Sequence, residues 1–153
     1  MSTHFAYPAG RPADRDGPKH GESVTISAAP GPRIIQFSVS HPRCDVTLVV
    51  VAGEVDLCTA PWLRDKLLRA CGSQESTIVV DLSPVTFFAA AGLTTLVEAQ
   101  AAAEKTDRRM VLITTARCVD RVIEITGLST TFRRAASLAA ALAETTPGCA
   151  APV

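Results

Sequence analysis

The sequence lacks the composition of several common protein classes. Its 15 lysines and arginines balance 15 aspartates and glutamates, so it has no basic surplus for binding nucleic-acid phosphates or anionic lipids. No uncharged apolar run approaches the roughly 18–20 residues that span a bilayer. No basic stretch precedes an apolar core at the N-terminus, as it does in a secretory signal. We therefore expect a cytoplasmic protein that binds neither nucleic acid nor membrane.

Catalytic constellations are also missing from the sequence. The three histidines, His4, His20 and His41, fall in the N-terminal segment or in a turn, so a serine or cysteine nucleophile has no histidine base. Gly53 stands apart from any other glycine and forms no glycine-rich phosphate loop. We therefore expect no enzyme and no cofactor. A folded domain without catalytic groups is typical of a binding module.

The cysteines show no metal-site spacing. They are scattered along the chain without a CxxC pair, which argues against a structural zinc site. In a reducing cytosol we expect most of them to be free thiols, with redox sensing by one pair as the alternative. The five are Cys44, Cys58, Cys71, Cys118 and Cys149.

Proline and glycine mark the limits of the folded part. Half of the ten prolines lie in the first 32 residues, among four glycines. Such a segment cannot bury enough apolar surface to offset its ordering entropy, so we expect a disordered tail over 1–32. Residues 145–153 carry two further prolines and are expected to form a second tail. One domain over 33–144 remains, long enough to bury its own core.

The domain shows strands alternating with helices. This pattern requires crossover connections and predicts an α/β fold, a mixed and mostly parallel sheet of four to five strands with about four helices packed against it. The expected helix caps are Thr59, Thr114 or Thr115, and Ser137. The expected hairpin turn is His41-Pro42-Arg43. The expected strands cover 34–39, 45–55, 77–82, 110–114 and 131–135, and the helices cover 59–72, 90–104, 115–127 and the segment after 137.

Two connecting segments stand out. The first, Gly53-Glu54-Val55-Asp56-Leu57-Cys58-Thr59-Ala60-Pro61, joins the second strand to the first helix. The second, Val79 to Leu93, contains Asp81-Leu82-Ser83-Pro84-Val85-Thr86-Phe87-Phe88-Ala89-Ala90-Ala91-Gly92-Leu93. Taken singly, each is an ordinary strand-to-helix connection. Together, and with Arg121-Val122-Ile123-Glu124-Ile125-Thr126-Gly127-Leu128, they resemble the STAS domain of bacterial anti-sigma factor antagonists.

The resemblance covers the folded part and implies a function. Members of this family bind an anti-sigma factor that is also a serine kinase, and they thereby free a sigma factor. The kinase phosphorylates a hydroxyl at the start of the second helix, and the added negative charge disrupts the complex. Exposed N–H groups and the helix dipole favour an anion at such a position.

The sequence departs from the family pattern at the phosphorylated position. Where the family has an acidic residue followed by two hydroxyl residues, this chain has Ala89, Ala90 and Ala91. Ala91 takes the place of the usual phosphoacceptor and has no oxygen to phosphorylate. Gly92 and Asp56 are retained. The resemblance therefore implies that the fold and docking surface remain while the switch is lost.

Three functional hypotheses follow. The first is an antagonist that phosphorylation at the usual site cannot release. The second is an antagonist switched by another group: Thr94 and Thr95 are surrogate acceptors one turn past Ala91, and Cys58 and Cys118 are candidate redox groups. The third is a scaffold or accessory subunit of a stress-signalling assembly or of a lipid-trafficking ABC transporter.

The resemblance implies a set of partner-contact residues. They come from the loop before the first helix and from the start of the second helix. Alternation places Phe87 and Phe88 on opposite sides of an extended segment. The sequence leaves a homodimer open. The expected contact residues are Asp56, Cys58, Thr59, Phe88, Ala89, Ala90, Ala91, Gly92 and Thr95.

Overall fold

The computed structural model describes residues 22–27 and 34–145, which form seven strands and four helices. These elements include every helix expected from the sequence and two additional strands. The strands are β1 (Glu22–Ser27), β2 (Ile34–Arg43), β3 (Val46–Val55), β4 (Thr77–Asp81), β5 (Val85–Phe88), β6 (Arg109–Ile113) and β7 (Arg133–Ala135). The helices are α1 (Ala60–Cys71), α2 (Ala90–Lys105), α3 (Arg117–Ile125) and α4 (Leu138–Ala143).

The strands form one mixed sheet. Its order is β1-β2-β3-β4-β6-β7, and β5 also pairs with β3. The first three strands are antiparallel neighbours, whereas β4, β5, β6 and β7 join by parallel pairing. Helices connect the parallel strands, as such crossovers require. The predicted α/β fold with a mixed, mostly parallel sheet is confirmed, although the sheet has seven strands rather than four or five.

One edge of β3 serves two partner strands. Val46–Val50 pairs with β4, and Gly53–Val55 pairs with β5. The register shifts between Gly53 and Glu54, where Gly53 has a φ of 98° and donates its N–H to the Pro84 carbonyl at 3.2 Å. Glycine adopts a positive φ at little cost, so Gly53 permits the irregularity at which β3 changes partner.

Three expectations differ from the structure in the strands. β1 lies inside the segment 1–32 that composition assigned to a disordered tail, and it pairs with β2 along its whole length. β5 occupies residues expected to form part of a strand-to-helix connection. The hairpin turn lies at Asp45 and the disulfide-bonded Cys44 rather than at His41-Pro42-Arg43, because β2 continues through Arg43 after a register shift. The remaining tail predictions, for 1–21, 28–33 and 146–153, concern residues outside the described ranges.

The sheet carries a core on each face. Helices α1, α2 and α3 pack on the inner face, and α4 packs on the outer face. Successive strand residues point to opposite faces, so the apolar residues of β4 and β6 contribute to both cores. The inner core includes Phe37, Val49, Val51, Leu63, Leu67, Ile78, Val80, Leu96, Leu112 and Ile123. The outer core includes Val46, Leu48, Val79, Val111, Ile113, Ala135 and Ala141.

The helix starts confirm one expected cap and correct another. Ser137 Oγ accepts the N–H of Ala140 at 3.1 Å and caps α4 as predicted. Helix α3 begins after Ala116, whose backbone is extended at φ −76° and ψ 120°. The predicted cap from Thr114 or Thr115 is therefore wrong, because the chain stays extended beyond both residues.

Arg43 joins the first hairpin to the end of the described chain. Its Nε and Nη2 each donate to the Asp45 carboxylate at 3.0 Å, and Nη2 also donates to Thr145 Oγ1 at 2.7 Å. Nη1 donates to the Leu142 carbonyl at 3.3 Å. Thr145 is buried, so it does not belong to the disordered tail that was predicted to start at this residue.

We predict that Arg43→Ala lowers the free energy of unfolding by about 1–3 kcal/mol, because buried polar partners lose charge-assisted hydrogen bonds. Arg69→Ala is the matched control, since Arg69 forms an exposed ion pair with Asp65 and should change stability by about 0–1 kcal/mol. Urea unfolding of both variants measures the difference. Equal effects in the two variants would contradict a structural role for Arg43.

Candidate functional site

Asp56 organises the turn that ends β3. Its Oδ1 accepts the N–H groups of Cys58 at 2.8 Å and Thr59 at 2.9 Å. Thr59 Oγ1 accepts the Asp56 N–H and donates to the Glu54 carbonyl, each at 2.9 Å. The Ala60 N–H donates to the Asp56 carbonyl at 2.8 Å. Thr59 occupies the N-cap position, but its side chain bonds back toward the strand, so Asp56 supplies the oxygen expected from Thr59.

The start of α2 lies directly beside this turn. Ala89 is extended, with φ −94° and ψ 167°, and its N–H donates to the Val55 carbonyl at 2.8 Å. Within the described helix α2, neither a side-chain cap nor an acidic residue in the first turn is present. The three alanines therefore leave the positive end of the helix dipole without a side-chain acceptor.

Gly92 permits the close approach of α2 to β3. A Cβ atom at this position would lie 2.7 Å from Val55 Cγ1 and 2.8 Å from two ring carbons of Phe88. Val55 and Phe88 are both buried in the inner core, so neither side chain can move aside at low cost. The retained glycine is thus a packing requirement at the junction of the two motif segments.

The structure separates the expected contact residues into two groups. Cys58 and Ala90 are exposed, and Ala89 and Ala91 are half-buried. The side chains of the others are enclosed by the fold and shape the surface from beneath, and their expected contact with a partner stays a prediction. The buried group comprises Asp56, Thr59, Phe88, Gly92 and Thr95.

The two surrogate phosphoacceptors also differ in exposure. Thr95 is 5% exposed, and its Oγ1 donates to the Ala91 carbonyl at 3.1 Å. A kinase cannot reach this hydroxyl while α2 is folded. Thr94 is exposed and donates to the Ala90 carbonyl at 3.3 Å, so it remains the surrogate that a kinase can reach.

Leu57 and Phe87 are site residues absent from the expected contacts. Leu57 is 80% exposed and Phe87 is 52% exposed, whereas Phe88 is 4% exposed. The opposite placement of the two phenylalanines agrees with the predicted alternation. The sequence also contained an indication that Leu57 is exposed. An apolar residue inside a polar capping turn has no helix or strand neighbour to cover it.

The described cysteines vary in accessibility. Cys58, Cys71 and Cys118 form no disulfide. Burial raises the pKa of the Cys71 thiol, which disfavours the reactive thiolate. Cys118 is half-buried, with its Sγ 3.5 Å from the Val85 carbonyl. Cys58 is exposed within the Asp56–Thr59 turn, and the redox hypothesis for it stays a prediction.

A metal site and a membrane-spanning helix have little support in the described ranges. These residues contain no group of three His, Cys, Asp or Glu side chains placed to hold a metal ion. None of the helices there has the length and apolar character needed to cross a membrane. A polar cavity of about 430 Å³ is lined by residues that include Gln100, Glu104, Arg109 and Arg133, none of which belongs to the motif segments.

We predict that Gly92→Ala destabilises the domain by about 1–3 kcal/mol, because the added methyl group overpacks a filled core. Gly72→Ala is the control: its Cβ would lie 3.5 Å from the nearest atom, the Arg69 carbonyl oxygen, and its backbone is right-handed. Thermal unfolding followed by circular dichroism compares them. A Gly92 variant as stable as the Gly72 variant would contradict the packing argument.

The chain matches a family model described as "Mlab, STAS domain" over residues 40–138. No curated protein is similar enough in sequence to match it. Among solved structures, an anti-sigma factor antagonist from Mycobacterium paratuberculosis is 29% identical, with a TM-score of 0.67 over 74% of this chain and 95% of that one.

Two further structures share the fold at lower identity. The phosphorylated Bacillus cell fate determinant SpoIIAA is 18% identical, with a TM-score of 0.56 over 70% of this chain and 96% of that one. A STAS domain protein from Planctomyces limnophilus, described as an anti-sigma-factor antagonist, is 17% identical, with a TM-score of 0.60 over 70% and 95%. The family model matches well over half of this chain. The chain therefore belongs to the STAS domain family.

Proposed function

We propose that this protein is a cytoplasmic anti-sigma factor antagonist. It binds an anti-sigma factor of the serine-kinase type, frees a sigma factor and catalyses no reaction itself. The observation that carries the proposal is the joining of both motif segments at one end of the sheet by the Ala89–Val55 hydrogen bond. We call the resulting surface the docking surface and define it by Leu57, Cys58, Phe87, Ala90 and Ala91.

The comparisons support this choice over other binding modules. The Mycobacterium structure, which shares 29% of its sequence with this chain, is named an anti-sigma factor antagonist. Its length is covered almost completely, so the likeness extends over its whole domain. The polypeptide geometry that the family motif requires, namely Gly92 against Val55 and Asp56 in the turn, is present here.

The same geometry supports an antagonist that the usual phosphorylation cannot release. Ala91 carries no hydroxyl, and the hydroxyl of Thr95 is enclosed. A phosphate at the usual position would place roughly two negative charges on the docking surface. Without an acceptor there, the complex loses this route to dissociation and the antagonist is constitutive.

A binding screen tests the proposed function directly. The full chain, immobilised, is offered each purified anti-sigma kinase of the source genome. We expect one kinase to bind and to release its sigma factor on binding. If every kinase fails to bind while the chain is folded, the scaffold or accessory-subunit hypothesis replaces this one.

We predict that Ala91→Asp weakens binding to that kinase by at least about tenfold, because a buried unpaired charge opposes association. The domain itself should stay folded and gain up to about 1 kcal/mol, since an acidic side chain in the first turn of α2 complements the helix dipole. Isothermal titration calorimetry and thermal unfolding measure the two effects.

A matched substitution controls for the added charge. Ala139 is exposed at the second position of α4, as Ala91 occupies the second position of α2, and α4 packs on the other face of the sheet. Ala139→Asp should leave the affinity unchanged. Equal affinities for the two variants would move the interface away from the start of α2.

We further predict that the cognate kinase and ATP add no phosphate to the natural chain, whereas Ala91→Ser combined with Ala89→Asp makes it a substrate. The double change restores the hydroxyl and the acidic neighbour that the family resemblance implies. Intact-mass spectrometry with peptide mapping gives the result. Phosphate on Thr94 of the natural chain would instead show that the kinase uses Thr94 as the phosphoacceptor in place of position 91.

A further inference from the structure

We propose that the docking surface binds its partner through apolar contact, without ion pairs, and that Leu57 and Phe87 are its anchors. The partner therefore presents an apolar, uncharged face to this end of the sheet. This inference rests on the proposed function and specifies the chemistry of the partner's matching surface.

Charge is scarce in the segments that build the surface. Residues 85–97, which run from β5 through the first half of α2, contain no ionisable side chain. In residues 55–60 the carboxylate of Asp56 is directed inward, where its Oδ1 accepts two backbone N–H groups, and the residue is 9% exposed. Neither of these two ranges therefore offers an exposed charged side chain, and Glu54, which directly precedes residues 55–60, is half-buried and in register with Phe87.

Large apolar side chains are unusually exposed at the same place. Within residues 35–145, four large apolar side chains are exposed: Leu57 at 80%, Phe87 at 52%, Val97 at 38% and Ile125 at 73%. Three of the four belong to the segments that form the docking surface or continue from it along α2. Water contact with such side chains is unfavourable, and a partner that covers them gains their burial.

Backbone pairing and hydrogen bonds fix the two segments that carry the anchors. Phe87 pairs in register with Glu54, Phe88 pairs with Val55, and the Ala89 N–H bonds to the Val55 carbonyl. Leu57 follows Val55 by two residues, in a turn fixed by Asp56. A few residues that become fully desolvated in well-packed pockets carry most of the binding energy at protein interfaces.

Apolar docking has a measurable signature. Attraction between charges is screened as ionic strength rises, so an interface built on ion pairs loses affinity in salt. Burial of apolar surface is not weakened in this way. An uncharged docking surface predicts an affinity that is nearly constant across salt concentrations and that depends on the two anchors.

The test uses the full chain and the anti-sigma kinase identified by the screen. Titrations from about 0.05 to about 0.5 M NaCl should change the dissociation constant by less than about threefold. Leu57→Ala and Phe87→Ala should each weaken binding by at least about tenfold. Ile125→Ala is the matched control, an exposed aliphatic residue on α3, and should leave the affinity unchanged.

Each other outcome overturns the inference. Loss of affinity by tenfold or more in salt, with Leu57→Ala equal to the natural chain, would show an ionic interface while the proposed function stands. Sedimentation as a dimer that Leu57→Ala dissociates would assign the surface to a second copy of the chain. Flotation with phosphatidylcholine vesicles that Leu57→Ala abolishes would assign it to a lipid surface.

Discussion

The contact between the start of α2 and the end of β3 is the constraint on which the site depends. Val55 takes part in it three times: it pairs with Phe88 in the sheet, its carbonyl accepts the Ala89 N–H, and its Cγ1 fills the space that a Cβ at position 92 would need. The capping turn follows Val55 immediately. The two motif segments, about thirty residues apart in the chain, therefore share one rigid frame, and the exposed side chains on it have fixed relative positions.

Apolar periodicity and turn residues were sufficient to predict the four helices and the parallel strands β4, β6 and β7, because these elements depend on local patterns of apolar residues. They were insufficient for β5 and β1. The former has only four residues and directly follows Pro84, so the sequence indicates a strand-to-helix connection there, and its strand character comes from pairing with β3 after the irregularity at Gly53. The latter depends on pairing with β2 rather than on its own composition. Side-chain exposure at the site also required the fold, since Thr95 and Thr94 differ by a single position.

The net charge of zero conceals an uneven distribution. The segments of the docking surface carry almost no exposed charge, whereas the polar cavity is lined by Glu104, Arg109 and Arg133 among other residues. In relatives that the resemblance implies are phosphorylated, a charged group at the start of α2 controls binding. In this chain the same position is occupied by the methyl groups of Ala89, Ala90 and Ala91, which carry no charge.

The hydrogen bonds of Arg43 to Thr145 span 102 residues of sequence. A chain synthesised from its N-terminus has all of the sheet's outer core strands before α4 and Thr145 emerge. Until then Val79 and Val111 have no helix to cover them, and apolar surface that stays uncovered during synthesis favours aggregation. The last eight described residues, which form α4 and end at Thr145, thus complete the cover of the outer core as the chain is synthesised.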